Sequence, residues 1–156
     1  MRTNTSRLFP LTRLDAALAS LLGLVSLAFY VRTLAPDLLY GDSGEFQTVV
    51  YSLGMTHPTG YPVYVLVGRL FTLLPIGNLA WRVNLFSAAL GALTVACVYL
   101  IARLISGWRL AAATAALTLA VTPLFWYFSV IAELYVPACA CLGGVLLFLL
   151  LWRQTG

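Results

Sequence analysis

Along this chain, long uncharged runs alternate with short polar breaks, a pattern that predicts membrane-crossing helices. Residues 16–34, AALASLLGLVSLAFYVRTL, form the first run. As a helix rising about 1.5 Å per residue, it is long enough for a hydrocarbon core about 30 Å thick. It is longer than the apolar stretch of a secretory leader, and no A-x-A cleavage pattern follows it. Further spans are expected at 79–105, 110–128 and 134–152, with a tight Ser106-Gly107-Trp108 turn between the first two of these. The architecture is therefore expected to be all-α: a multi-pass transmembrane helical bundle of about four spans, forming a single domain over 1–156.

The connection at 35–78 reads as two short helices joined by a turn. Asp42-Ser43-Gly44-Glu45 has the form of a capping box, with Phe46, Val49, Val50 and Leu53 as the apolar face and Gly54 as the stop. In the turn His57-Pro58-Thr59-Gly60-Tyr61-Pro62, Pro58 favours an extended His57, Gly60 permits positive φ, and Pro62 suits the first position of the next helix. The run from Val63 to Leu74 would be about 18 Å long, too short to span, and is expected to lie in the membrane interface. Asn78 is placed to cap the second span.

Composition excludes a water-soluble domain: 62% of residues are hydrophobic and 9% charged, with a mean hydropathy of +0.95. All nine basic residues are arginine, and they form no nucleic-acid-binding cluster. Arg2, Arg7, Arg13, Arg103, Arg109 and Arg153 fall at one side of the predicted spans, against Arg32, Arg69 and Arg82 at the other. That bias makes both termini cytoplasmic and the 35–78 connection external; a bacterial inner (plasma) membrane is the expected location. Trp108 and Trp152 would mark the inner interface, and Trp81, Trp126 and Tyr127 the outer. Cys97, Cys139 and Cys141 lie inside apolar runs and fit neither a disulfide framework nor a zinc site.

With this topology Asp37, Asp42, Glu45 and Glu133 gather at the outer side and only Asp15 lies inside. Gly41 and Gly44 remove side chains beside Asp42 and Glu45, leaving room for a ligand, and a placed carboxylate is what general-base chemistry requires. Glu133, in an otherwise apolar stretch, is expected to face a cavity or a partner. Arg82 and Arg69 could hold an anionic lipid phosphate, although Arg69 is as well explained by snorkelling. His57, the only histidine, could donate to the same phosphate. Asn84, Ser87, Ala88 and Gly91 form a small-residue stripe explained most simply by helix packing. No cofactor is expected; Asp42, Glu45 and His57 could take a divalent metal, but their spacing is not diagnostic.

Four pieces occur in order: Gly-Asp-Ser-Gly-Glu-Phe at 41–46, His-Pro-x-Gly-Tyr-Pro at 57–62, Arg-Val-Asn-Leu-x-Ser at 82–87 and Ala-Glu-x-Tyr at 132–135. Together they resemble the start of the domain-of-unknown-function family 2723, related to protein O-mannosyltransferases. The resemblance implies a GT-C glycosyltransferase architecture, with two short helices and an essential acid in the first external loop. It also implies a polyprenyl-phosphate sugar donor and a protein or glycan hydroxyl acceptor, Ser or Thr if the mannosyltransferase relationship holds. Asp42 is then the expected base, Glu45 its neighbour and Glu133 a member of the same cavity. His57 and Arg82 are candidates for the donor phosphate, Tyr61 and Tyr135 for the pocket wall, and Asn84 for substrate binding. Relatives with this architecture have more spans, so the chain reads as an N-terminal fragment. A transporter fragment or a noncatalytic polyprenyl-lipid-binding subunit are the alternatives from other classes.

Overall fold

A computed structural model describes residues 8–155 except Thr59, and all regular structure among the described residues is helical. The helices are α1 (Arg13–Arg32), α2 (Asp42–Ser52), α3 (Pro62–Thr72), α4 (Leu79–Ser106), α5 (Arg109–Val121), α6 (Pro123–Ser129) and α7 (Tyr135–Thr155). By length and apolarity α1, α4 and α7 can each cross a membrane, and α5 with α6, bent by 65° at the break between them, is long and apolar enough for a fourth, broken span or a re-entrant loop. The third span was expected to be continuous; it breaks because Pro123 cannot donate a backbone hydrogen bond and its ring blocks the preceding turn. The Tyr30 hydroxyl on α1 donates to the Ala120 carbonyl, just before this break, at 2.9 Å.

α4 is the central helix, packed by α1, α5, α6 and α7. Small residues permit the close approach. A Cβ at Gly91 would stand 2.7 Å from Ser129 Oγ, and one at Gly23 would stand 3.3 Å from the Ala92 carbonyl oxygen. Most large side chains of α7 instead remain exposed, among them Leu142, Val145, Phe148 and Trp152.

The two ends of the bundle differ in chemistry. At one end Thr12 caps α1 reciprocally with Asp15. The completely buried Asp15 carboxylate also accepts from Arg103 Nε at 3.1 Å and Arg109 Nε at 2.8 Å. Asp15, Arg103 and Arg109 thus share one end, as the arginine bias requires; Arg2 and Arg7 lie outside the described residues.

At the other end α2 and α3 pack on α4 through Phe46, Val50, Tyr64, Val83 and Phe86. The expected ends of these short helices need two corrections. Gly41, not Asp42, is the N-cap of α2, no side chain caps that helix, and the Asp42–Glu45 capping box does not form. The α2 stop is Leu53 in the left-handed region (φ 53), not Gly54. Gly60 (φ 81) and Pro62 take their expected roles. Asn78 also caps α4 as expected, accepting from the Trp81 N–H at 2.8 Å. Val63, Leu66, Leu70 and Leu73 leave one face of α3 apolar and exposed.

Candidate active site

Asp42 stands at the first position of α2, exposed, its carboxylate without a hydrogen bond to another described residue. It follows Gly41, whose φ of 68 suits glycine and around whose missing Cβ there is open space. Gly44 has a different reason to be glycine: a Cβ there would collide with the Leu39 carbonyl oxygen. Its small size therefore lets the 35–41 segment fold back onto α2, rather than clearing space for a ligand.

That segment is pinned by two fully buried amides. Gln47 Oε1 accepts from the Leu39 N–H at 2.9 Å. Gln47 Nε2 donates to Asn84 Oδ1 at 2.8 Å, and Asn84 Nδ2 donates to the Ala35 carbonyl at 2.9 Å. Each buried polar atom is thereby satisfied, at a depth where an orphaned one would cost about 1–3 kcal/mol. Asn84 is thus a link between α4 and the approach to Asp42. Gln47 went unrecognised in the sequence, because an apolar-only reading of α2 favours Val49 and Leu53. The face that is buried is Ser43, Phe46, Gln47 and Val50, a helical i, i+3, i+4, i+7 set containing two polar members.

Two further groups converge on the start of α2. Glu133, half-buried between α6 and α7, accepts from Ser43 Oγ at 3.0 Å. Burial raises its proton affinity above the ordinary glutamate value, and the Asp42 charge adds to the effect. Glu45 accepts from the His57 main-chain N–H at 2.7 Å and meets His57 Nδ1 at 2.9 Å. The side-chain bond to Glu45 is the main cause of the raised His57 pKa, with the Asp42 and Glu133 charges adding to it; the same bond lowers Glu45. The His57 ring stands edge-on to Phe46 and Tyr61, with centroids 5.9 and 5.5 Å away.

Asp42, Glu45, His57, Glu133 and Tyr61 therefore form one neighbourhood. Asp42, Glu45 and His57 offer ligand atoms all within 4.8 Å of one another, a spacing that could admit a cation; the hydrogen bond joining two of the three accounts for their closeness without one. The other candidates are engaged elsewhere. Arg82 spends Nε, Nη1 and Nη2 on the carbonyls of Ile76, Thr72 and Gly77, at 2.7, 2.9 and 3.0 Å, closing the turn between α3 and α4. Arg69 donates to the Tyr51 carbonyl and lies 4.9 Å over that residue's ring. Tyr135 is exposed at the start of α7 and packs against Phe128. Chemically, the site offers an open carboxylate beside a protonatable carboxyl group and an imidazole, which suits proton removal from a hydroxyl.

The family model described as the protein O-mannosyl-transferase TMEM260 N-terminal domain matches residues 42–156. The chain is 36% identical over 109 residues to "Protein O-mannosyl-transferase TMEM260" of Mus musculus, a match covering 69% of this chain and 16% of the relative. It is 28% identical over 109 residues to "Protein O-mannosyl-transferase tmem260" of Dictyostelium discoideum, covering 68% of this chain and 13% of that relative. The chain thus spans only a small part of the length of these relatives. No solved structure matches it significantly.

Proposed function

The chain belongs to the family of the protein O-mannosyl-transferase TMEM260 N-terminal domain, and on that premise we propose that it carries the catalytic loop of a membrane mannosyltransferase. The donor is a polyprenyl-phosphate sugar and the acceptor a Ser or Thr hydroxyl of a protein. The observation that carries this reading is the open Asp42 carboxylate at the start of α2, with Glu133 joined to its neighbour Ser43 at 3.0 Å.

In the proposed reaction Asp42 takes the proton from the acceptor hydroxyl. The freed oxygen attacks the anomeric carbon, the bond from that carbon to the donor phosphate breaks, and the polyprenyl phosphate leaves with the bonding electron pair, inverting the configuration. Hydrogen-bond donors near the departing phosphate would stabilise its charge. In this reading the loop lies outside and both termini in the cytoplasm, which the arginine bias supports, and the spans take the GT-C arrangement that the resemblance implies. The relatives named above are eukaryotic and lend no support to a bacterial inner membrane. Transport is the weaker reading, because the site's carboxylates sit together at one end of the bundle rather than along a path through it.

The test is Asp42→Asn in the full product of the gene. Mannosyl transfer in isolated membranes should fall at least about 100-fold, the scale on which positioned acid–base groups act, with membrane insertion intact. Transfer at the wild-type rate would remove Asp42 from the mechanism.

A further inference from the structure

We propose that Glu45 is a positioning residue for His57: its carboxylate occupies ring Nδ1 and aims the imidazole, leaving Nε2 as the ring atom that meets the bound donor. This rests on the sugar-transfer reading of the site and adds a role the motif alone does not assign. Glu45 grips one residue at two points, the His57 main-chain N–H at 2.7 Å and ring Nδ1 at 2.9 Å. An ionised carboxylate only accepts hydrogen bonds, so Nδ1 carries the hydrogen. One contact fixes the backbone of the turn, and the other fixes the ring.

The remaining atoms of His57 are accounted for as well. Its carbonyl accepts from the Gly60 N–H at 2.9 Å and from Thr56 Oγ1 at 3.2 Å. The edges and faces of Phe46 and Tyr61 restrict rotation of the ring. Nε2 alone among its polar atoms has no partner within the described residues. A purely structural turn would need the two main-chain contacts, whereas binding Nδ1 as well orients a ring that the turn does not require.

The charged groups that bear on this ring are all acids: Glu45 and Asp42 of α2, and Glu133 from the connection between α6 and α7. They favour the imidazolium, whose Nε2–H then donates to an anionic oxygen. The donor phosphate is the ligand chemistry that fits, because the arginines expected to serve it, Arg82 and Arg69, are committed to backbone carbonyls.

A single histidine makes the idea directly measurable. In the chain labelled with ¹⁵N-histidine and held in lipid nanodiscs, one ring spin system will be seen. Above its titration the wild type should show a protonated Nδ1 and a bare Nε2, the reverse of the tautomer that free histidine prefers; a protonated Nε2 with bare Nδ1 overturns the proposal. Glu45→Ala should release the ring into the ordinary tautomer mixture, and Glu45→Gln, which retains an acceptor oxygen, should restore the wild-type pattern. Unchanged ¹⁵N shifts in a folded Glu45→Ala chain also overturn it, and if that variant does not fold the wild-type spectrum decides.

In the full gene product, Glu45→Ala should add no loss of donor kcat/KM once His57→Ala is present. A further loss of about tenfold would show that Glu45 acts independently of His57 and would overturn the positioning role. Asp42→Asn separates the two readings: transfer at the wild-type rate would remove Asp42 as the base while leaving the tautomer result standing.

Discussion

Glu45 and His57 illustrate how a charge pair couples a turn to pH. Each partner is more than a third exposed on its side chain or close to it, so solvent screens the pair and its contribution is modest. His57 is raised from an ordinary value near 6.5, so its stabilising effect is complete below that value and is lost as pH rises through the higher folded value. Glu45 is lowered from about 4.5, so its effect is complete above that value and is lost as pH falls through the lower folded value. Thermal unfolding of the wild type and of His57→Gln should therefore differ most between about pH 4.5 and 6.5 and converge on either side; a difference independent of pH would contradict the pairing. The sequence marked both residues but not their bond, because they are joined by reversal of the chain across twelve positions. The D-S-G-E pattern pointed to a local cap, and that local alternative lost to a nonlocal partner. Arg82 shows the same limit: a guanidinium near a predicted interface suggests phosphate, and only folding reveals the carbonyls that occupy it.

At the level of elements, the signals that survived folding are those acting within a few residues. Asn78 is the plainest case, since its carboxamide both caps α4 and ties the preceding segment through Pro36 and Asp37, at 2.9 and 3.0 Å. Asn78→Ala should lower stability by about 1–2 kcal/mol, the upper part of the range for a lost N-cap, measured by equilibrium unfolding in mixed SDS micelles. A loss well below that range would mean the two extra contacts carry no weight. The apolar runs likewise gave α1, α4 and α7 nearly to their ends, because spanning length and hydropathy are properties of one segment. The buried face of α2 was legible only in part: Gln47 is polar, and its burial depends on Asn84 thirty-seven positions away. The break in the third span was signalled by Pro123, although an apolar window runs straight across it.

For the whole molecule, the two ends of the bundle divide the labour, a polar site at one and a buried ionic lock at the other. Asp15 joins α1 to both α4 and α5, and removing its charge leaves the nearly buried Arg103 and the partly exposed Arg109 without the anion they share. Asp15→Asn should therefore destabilise the bundle through its buried contact with Arg103, by about 3 kcal/mol, the lower end of what loss of one partner from a buried ion pair costs, while solvent screens the Arg109 contact; micellar unfolding reads it out, and an effect below about 1 kcal/mol would show that the lock is solvated. The sequence set Asp15 apart from the other acids, on the side of Arg103 and Arg109, but showed neither their bonds nor the convergence of three helices on it. The Tyr30 contact has a bearing on the shape of the third span. A backbone carbonyl left bare in hydrocarbon costs several kcal/mol, and the phenol that shields the Ala120 oxygen comes from a helix made ninety residues earlier. The later segment therefore holds its bend cheaply only where it lies against that earlier helix, so the shape of the third span is set jointly by its own proline and by a phenol ninety residues before it.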